Sequence, residues 1–415
     1  MLAQPCGALP SLFHSKRIMS QPFMPVAGRR PFTRHAAGGT LGRSPLTCLI
    51  LGLLALALGA CASRPGPEVL TPVTATIPGA RMVTVYVATT RERASPGQNL
   101  FTADRASGLN YAEFTISIPP GHKTGEIEWP GTIPDPATSF VTVRQTVLDE
   151  ATFRKRIGSR TGRGGRDVGV FVHGYNTNFQ EALFRLAQLS ADSQPDTVPV
   201  LFAWPSEAAI TGYVADKEAV TYSRDHLAHV LSTLTRERSV RSVALVGHSM
   251  GGWLTMEALR QLRLQGQDEV LARLQVVLAA PDIDLDVFRS QVAVVGPMSP
   301  PLTILVSKDD WALAASSRLS GGRARVGTLD VEDARVQAIA RQEGLRVVDI
   351  STLAAPDTFN HDRFVSFAAV YSAVAPESGA DPLRQAGAFV FNAAGTVLST
   401  PFTLVGQALA GQPIR

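Results

Sequence analysis

The sequence predicts a doubly wound α/β fold, in which helices cover both faces of a mainly parallel sheet. From residue 168 onward, short apolar runs alternate with longer segments of helical period, which is typical of parallel strands joined by crossover helices. The apolar runs are almost continuous in branched residues, as expected for strands that are buried on both faces. Six such runs occur, at 168–174, 198–204, 242–247, 274–280, 302–307 and 345–351.

The predicted helices lie between these strands and show the 3.6-residue apolar period. Their segments are 178–191, 220–237, 250–265, 284–294, 310–319 and 331–344. Upstream, four segments alternate more loosely between Pro- and Gly-containing turns, at 82–92, 112–120, 125–129 and 139–148. We interpret them as antiparallel strands that open the sheet or extend one edge of it, within a single domain at 80–375.

The composition indicates a globular protein without an affinity for polyanions. Of the 415 residues, 45% are hydrophobic and 18% are charged, which is too apolar for a disordered chain. The net charge of +4 comes from residues 1–60, which contain six Lys or Arg and no acidic residue, so the remainder has 33 basic against 35 acidic residues. No nucleic-acid partner is therefore expected.

A basic stretch followed by an apolar run at 46–60 predicts a signal peptide over residues 1–60. The run is shorter than the roughly 18 residues that a membrane-spanning helix needs. It ends in the tetrapeptide LGAC at 58–61, which resembles the cleavage site of bacterial lipoproteins. The resemblance implies acyl chains on Cys61 and a periplasm-facing protein of the cell envelope, anchored in the outer membrane. Residues 61–79, rich in Pro and Thr, then predict a flexible tether.

A glycine-flanked serine follows the third predicted strand, in the stretch LVGHSMGGWL. The G-x-S-x-G pattern of Gly247, Ser249 and Gly251 is a weak signal alone, but here it joins an apolar strand to an amphipathic helix, as in a nucleophile elbow. Glycines are needed there because a Cβ would collide with the neighbouring strand and helix. The context therefore favours a nucleophilic Ser249 over a plain strand-to-helix turn.

A serine nucleophile needs a histidine base and an acid, which follow it along the chain in the order acid, then histidine. His361 is the only histidine downstream of Ser249, and it lies just after the last predicted strand. Asp309 and Asp310 follow the strand before it, and the pattern alone does not separate them. A rival pair follows the strand before that: Asp282 and Asp284.

Two backbone N–H groups are predicted to stabilise the negative charge that forms on the substrate oxygen. One belongs to Met250, directly after the nucleophile, and the other to Tyr175 in the HGYN loop after the first predicted parallel strand. His173 in the same loop is interpreted as a residue that orders the loop, because it lies upstream of the serine and not where the base is required.

Six segments taken together resemble a bacterial family of α/β-hydrolase-fold proteins in the esterase and lipase superfamily, most of them without an assigned function. The segments are VFVHGYNTNF, FAWPS, LVGHSMGG, LAAPDID, SKDDWALAAS and NHDRF. The similarity covers roughly residues 80–375 and implies a triad of Ser249, His361 and an aspartate. In the family's pattern the aspartate stands two residues before an Ala-Leu pair, which falls on Asp310 in this sequence.

These features predict a serine hydrolase that cleaves carboxylic esters through an acyl-enzyme, with no metal or other cofactor because no ligand-spaced cluster or phosphate-binding glycine motif occurs. The expected substrate is a small-molecule or lipid ester. Only one short helix is predicted between 280 and 302, so the site should lack a large cap and favour soluble or short-chain esters.

Two alternatives keep the same fold. One is a catalytically silent lipoprotein that binds a partner or acts as a scaffold, and the other is an acyltransferase or peptidase that uses the same triad. A C-terminal tail at 376–415, uncharged from 385 to 414, is predicted to pack on the domain or on the membrane surface.

Overall fold

One mixed sheet forms the centre of the computed structural model, which describes residues 64–74, 77–161, 165–193, 197–374, 390–391 and 397–398. Nine of its described strands have four or more residues. They are β1 Arg81–Arg93, β2 Phe101–Ile118, β3 Val141–Leu148, β4 Arg166–Val172, β5 Thr197–Ala203, β6 Val240–His248, β7 Leu274–Ala279, β8 Thr303–Val306 and β9 Arg346–Asp349. Two strands of two residues, β10 Val390–Phe391 and β11 Val397–Leu398, extend the sheet beyond β9.

The strand order is β11-β10-β9-β8-β7-β6-β4-β5-β1-β2-β3. Seven neighbouring strands from β9 to β1 pair in parallel, whereas β2 and β3 are antiparallel to their neighbours. The predicted doubly wound class, with antiparallel N-terminal strands, is confirmed. Two details differ from the prediction. Strand β1 lies inside the parallel part of the sheet, where it pairs with β5, and residues 125–129 form no strand.

Helices cover both faces of the sheet. They are α1 Glu150–Thr161, α2 Phe179–Ser193, α3 Tyr213–Arg236, α4 Met250–Leu264, α5 Asp268–Leu271, α6 Leu285–Val295, α7 Trp311–Leu319, α8 Ala334–Gln342 and α9 Arg363–Val374. One hydrophobic cluster joins one sheet face to residues of α1, α3, α4 and α6. A second cluster joins the opposite face to residues of α2 and α9. Because alternate residues of a strand point to opposite faces, Val170 belongs to the first cluster and Phe171 to the second.

The described part of the predicted tether packs against the domain, so the prediction of a free linker is wrong for residues 64–74. A short 3₁₀ helix at Pro67–Leu70 buries Val69 and Leu70. The Val73 N–H donates to the carbonyl of Thr142 at 2.8 Å, and the Thr142 hydroxyl donates to the Val69 carbonyl at 3.0 Å. Burial of two apolar side chains and pairing of backbone groups hold this segment in place.

Several predictions concern residues outside those that the structure describes. These are the signal peptide at 1–60, Cys61 and most of the tail at 376–415. Within the described ranges, no helix combines the length and the apolar character that a bilayer-spanning helix requires.

Candidate active site

Ser249 lies at the sharp turn between β6 and α4, with a left-handed backbone at φ 53° and ψ −120°. Such a conformation is strained for a residue with a side chain and is kept only where the surroundings impose it. Here they do, because a Cβ on Gly251 would overlap the backbone carbonyls of Val172 and His173 at the end of β4. The Ser249 side chain caps no backbone N–H of α4, so its hydroxyl is not used as a helix cap.

His361 and Asp310 are brought together by the loops that follow β9 and β8. His361 Nδ1 donates to Asp310 Oδ2 at 2.7 Å, and the other carboxylate oxygen accepts from the Leu313 N–H at 2.9 Å. Asp310 thus caps the first turn of α7 and is held in one orientation. Since a carboxylate only accepts, this contact fixes the neutral tautomer of His361 and leaves Nε2 free to accept a proton.

The imidazole of His361 also lies close to the elbow. Its ring centroid is 4.6 Å from that of His248, the residue that precedes Ser249, and the His248 ring packs in turn on Phe364 at 4.4 Å. Burial, and to a smaller extent the charge of His361, lower the pKa of His248 well below its usual value. His248 therefore stays neutral and serves as a wall for the His361 ring.

The environment of His361 raises its pKa. Burial of the imidazole lowers the pKa, but the hydrogen bond to Asp310 and the charges of Asp310, Asp362 and Asp282 act more strongly in the other direction. The result is a pKa of about 9. The imidazolium form is thereby stabilised, which is the form that a base acquires when it takes the proton of a serine hydroxyl.

The other three candidate aspartates are engaged elsewhere. Asp309 forms a two-bond ion pair with Arg363, with one contact at 2.8 Å, and accepts from the Asn360 amide at 3.0 Å. Asp284 caps the N-terminus of α6. Asp282 is paired with the buried Arg325 at 3.2 Å. Of the four, Asp310 alone has its carboxylate on the imidazole.

The Asp282–Arg325 pair is expected to matter for stability. Both side chains are only 3% exposed, so Asp282→Ala should leave an unpaired buried charge and lower the free energy of unfolding by about 3 to 5 kcal/mol. Urea denaturation measures this. Asp286→Ala is the matched control, because its contact with Arg323 is exposed and should contribute less than about 1 kcal/mol. Equal losses in the two variants would contradict the expectation.

Further residues hold the histidine loop, and the sequence analysis missed their roles. The Asp357 carboxylate accepts from the backbone N–H of His361 at 3.0 Å and from that of Asp362 at 2.9 Å. The Trp311 N–H donates to the Phe359 carbonyl at 2.9 Å, which ties this loop to the start of α7. Hydrogen bonds therefore join the His361 loop to the Asp310 loop. Residues 357–362 contain two aspartates and residues 309–310 contain two more, and the sequence gives no signal that distinguishes their roles.

The HGYN loop lies directly against the elbow. A Cβ on Gly174 would be 3.0 Å from the Ser249 Cβ, so a larger residue would have to displace the elbow by a few tenths of an ångström. His173 is fully buried and its ring stacks on Trp204 at 4.9 Å, while the Trp204 indole donates to the His173 carbonyl at 2.7 Å. Burial lowers the pKa of His173 to about 3, so this residue is neutral and acts as packing for the loop.

Met250 and Tyr175 directly follow Ser249 and Gly174, the two residues that are in close contact. Met250 is the first residue of α4 and is buried. The Tyr175 side chain points away from the elbow, since its ring packs on Tyr213 at 5.4 Å and its hydroxyl donates to the carbonyls of Ala209 and Ile210. Tyr175 directly follows Gly174, which is packed against Ser249.

Arg64 fastens the far side of the same loop. Its guanidinium donates to the Asn176 carbonyl at 2.6 Å and to the Asn176 side-chain oxygen at 2.8 Å. It also forms a two-bond pair with Glu181 and donates to the carbonyl of Ala208. Asn176 needs such support because its backbone is left-handed, at φ 55°. Arg64 therefore holds a loop that lies more than a hundred residues downstream.

A cleft of about 510 Å³ opens beside Gly174 and His248. Its lining includes charged side chains from both sides, among them Arg64, Arg185 and Asp362. Within the described part of the chain, no group of three His, Cys, Asp or Glu side chains could hold a metal ion.

The strand-turn-helix serine and the imidazole–carboxylate pair on a doubly wound sheet define an α/β hydrolase. The chain belongs to the family described as "Alpha/beta hydrolase of unknown function (DUF900)", whose profile matches residues 149–377, more than half of the chain. No curated protein matches the sequence. Among solved structures, a protein from Agrobacterium vitis S4 named "Putative hydrolase" is similar, with 15% identity and a TM-score of 0.26, over 65% of this chain and 97% of that one.

Proposed function

We propose that this chain is a serine hydrolase that cleaves carboxylic esters through an acyl-enzyme, with Ser249, His361 and Asp310 as its triad. The contact of His361 Nδ1 with Asp310 at 2.7 Å, beside the strained turn at Ser249, is the observation that carries the proposal. Membership of an α/β hydrolase family supports it. A strained serine next to a base that is oriented by a buried carboxylate is the arrangement that serine nucleophiles require.

In the first half-reaction, His361 Nε2 accepts the Ser249 hydroxyl proton as the oxygen attacks the ester carbonyl carbon. The negative charge on the former carbonyl oxygen is stabilised by the backbone N–H groups of Met250 and Tyr175. The C–O bond to the alcohol then breaks, and His361 returns the proton to the leaving alcohol. A water molecule attacks the acyl-enzyme in the same way, which releases the carboxylic acid and restores Ser249.

The test combines fluorophosphonate labelling with hydrolysis of p-nitrophenyl esters of increasing chain length. It uses the full-length chain in a detergent without ester bonds, and Ser249→Ala is the control. Labelling and turnover that are lost in Ser249→Ala would support the proposal and give the acyl preference. A folded protein that neither labels nor hydrolyses any ester would favour the silent binding lipoprotein instead, and labelling without ester turnover would favour an acyltransferase or peptidase.

We expect kcat/KM to rise with pH up to about 9. A base accepts a proton only in its neutral form, and the His361 pKa of about 9 leaves most of it protonated at neutral pH. Below that value the increase should be about tenfold per pH unit. The profile is measured with a short p-nitrophenyl ester after subtraction of spontaneous hydrolysis. A plateau that is already reached at neutral pH would contradict this expectation.

Arg64 is expected to act as a positioning residue for the HGYN loop. Arg64→Ala should lower kcat about 10- to 100-fold with little change in KM, because a misplaced donor weakens binding of the transition state more than that of the substrate. Arg81→Ala is the matched control, since Arg81 also donates to backbone carbonyls but at Ser190 and Ala191. Equal kcat values for the two variants would show that Arg64 has no such role.

A further inference from the structure

Five large apolar side chains lie exposed near the edge of the sheet that carries Ser249. They come from segments that follow the carboxyl ends of β5, β8 and β9, and between 59% and 82% of each is exposed. Exposed apolar groups that cluster in this way mark a surface that contacts another molecule or a membrane. This rim surface consists of Ile210, Val214, Trp311, Leu319 and Phe359.

The members of the rim surface are neighbours. Trp311 and Phe359 are joined by the backbone hydrogen bond of 2.9 Å between their segments. The start of α3 is joined to α7 by the hydroxyls of Tyr213 and Ser316, which are 2.9 Å apart. Val214 and Leu319 line one shallow depression between α3 and α7. The apolar groups thus form two pairs, one at each end of α7, and Asp310 lies at the end that carries Trp311.

The start of the described chain is fixed to the same edge. Arg64 donates to the Ala208 carbonyl, two residues before Ile210. Cys61 precedes Arg64 by three residues, so the two Cα atoms are at most about 11 Å apart. The headgroup layer of a bilayer is roughly 5 to 8 Å thick on each side. Acyl chains on Cys61 would therefore hold this edge of the sheet at the membrane surface.

We propose that the rim surface docks on the lipid bilayer that holds the acyl chains of Cys61, and that the substrate is a lipid ester presented by this bilayer. The inference rests on the proposed ester hydrolase activity. The cleft beside Gly174 is lined by apolar side chains such as Trp129 and Phe364 and by the charged groups of Arg64, Arg185 and Asp362, and the charged groups suit a polar headgroup. The acyl chain remains in the bilayer while the ester bond reaches Ser249, so the substrate needs neither a deep apolar pocket nor a cap.

The first test asks whether Trp311 enters the lipid. The full-length chain is bound to vesicles of phosphatidylethanolamine and phosphatidylglycerol with brominated acyl chains, which quench indole fluorescence on contact. Wild type should lose a larger share of its fluorescence than Trp311→Phe, because Trp311 is 59% exposed, whereas Trp129 is 36% exposed, Trp253 is half-buried and Trp204 is buried. Equal quenching of the two bound proteins would overturn the proposal, as would a dimer that hides Trp311 from the lipid.

The second test compares two substrates of the same chain. Val214→Ser/Leu319→Ser should lower hydrolysis of a fluorogenic lipid ester in these vesicles about tenfold, because apolar area that enters the bilayer is lost. Hydrolysis of p-nitrophenyl acetate should stay within about twofold. Met82→Ser/Val147→Ser, which removes two exposed apolar side chains from β1 and β3, should change neither rate.

The outcomes separate the two proposals. A protein that hydrolyses p-nitrophenyl acetate, but whose rim variant acts on the vesicle ester as fast as wild type, retains the proposed activity and loses the docking surface. A protein that hydrolyses neither ester, yet shows quenching that depends on Trp311, retains the docking surface and loses the proposed activity. Cys61→Ser measures how much of the vesicle binding comes from the anchor alone.

Discussion

Replacement of Asp310 by asparagine is expected to lower kcat/KM by about 10³- to 10⁴-fold without unfolding the protein. An asparagine amide can donate to His361 Nδ1, which would place the proton of the neutral imidazole on Nε2 and prevent that atom from accepting from Ser249. The cap on the Leu313 N–H can be kept by the amide oxygen, so the start of α7 should persist. Kinetics with a short p-nitrophenyl ester and a thermal melt measure the two effects.

The same variant should also shift the pH dependence. In wild type the hydrogen bond and charge of Asp310 raise the His361 pKa to about 9 against the opposing effect of burial. Once they are removed, burial dominates, so the apparent pKa should fall and the remaining activity should become nearly independent of pH above neutrality. Asp309→Asn is the matched control, because Asp309 contacts Arg363 and not the imidazole. A larger loss in Asp309→Asn than in Asp310→Asn would mean that the acid has been misassigned.

Gly251→Ala is expected to have the largest effect on the fold around the serine. The added Cβ would overlap the backbone carbonyls of Val172 and His173, and backbone atoms of β4 cannot move aside as a flexible side chain can. We expect a loss of at least about 3 kcal/mol in the free energy of unfolding, together with loss of fluorophosphonate labelling. Urea denaturation and labelling of the folded fraction measure both.

A glycine in open space provides the comparison. A Cβ on Gly131 meets nothing within 4 Å, and its backbone is not left-handed. Gly131→Ala should therefore change stability by less than about 1 kcal/mol and leave labelling intact. If Gly251→Ala behaved like Gly131→Ala, the close packing of the elbow against β4 would not be what holds Ser249 in its strained conformation.

Local signals were sufficient to predict the parallel strands β4 to β9, most helices and the turn at Ser249. Buried parallel strands are long apolar runs, and the elbow is defined by two glycines within five residues. Helix α1 is not predicted by the sequence pattern, because Phe153 and Ile157 are its only buried apolar residues. Two residues are too few to show a helical period of apolar positions. Residues 125–129 show the alternation of polar and apolar residues that is typical of a strand, but they pair with no other strand. The sequence of one segment does not show whether a partner strand is available.

The choice between Asp309 and Asp310 depends on three-dimensional contacts. Both follow β8, and adjacent side chains at a helix start point in different directions. Asp310 takes the cap position of α7, whereas Asp309 turns towards Arg363, 54 residues later in the chain. The tether prediction for residues 61–79 also failed because it depended on long-range contacts. The proline and threonine content of a segment does not show whether it contacts distant residues, as Arg64 contacts Asn176.

Residues 64–74, which precede β1, cover part of the exposed edge of the sheet. β3 is the outermost strand on its side of the sheet, and an open strand edge can pair with the edge of another molecule. Val69, Leu70 and Val73 occupy hydrogen-bonding groups of Thr142 and Gln145 on this strand. The N-terminal segment therefore shields one end of the edge, and a chain cut after residue 74 would present an unpaired strand to its copies and tend to aggregate.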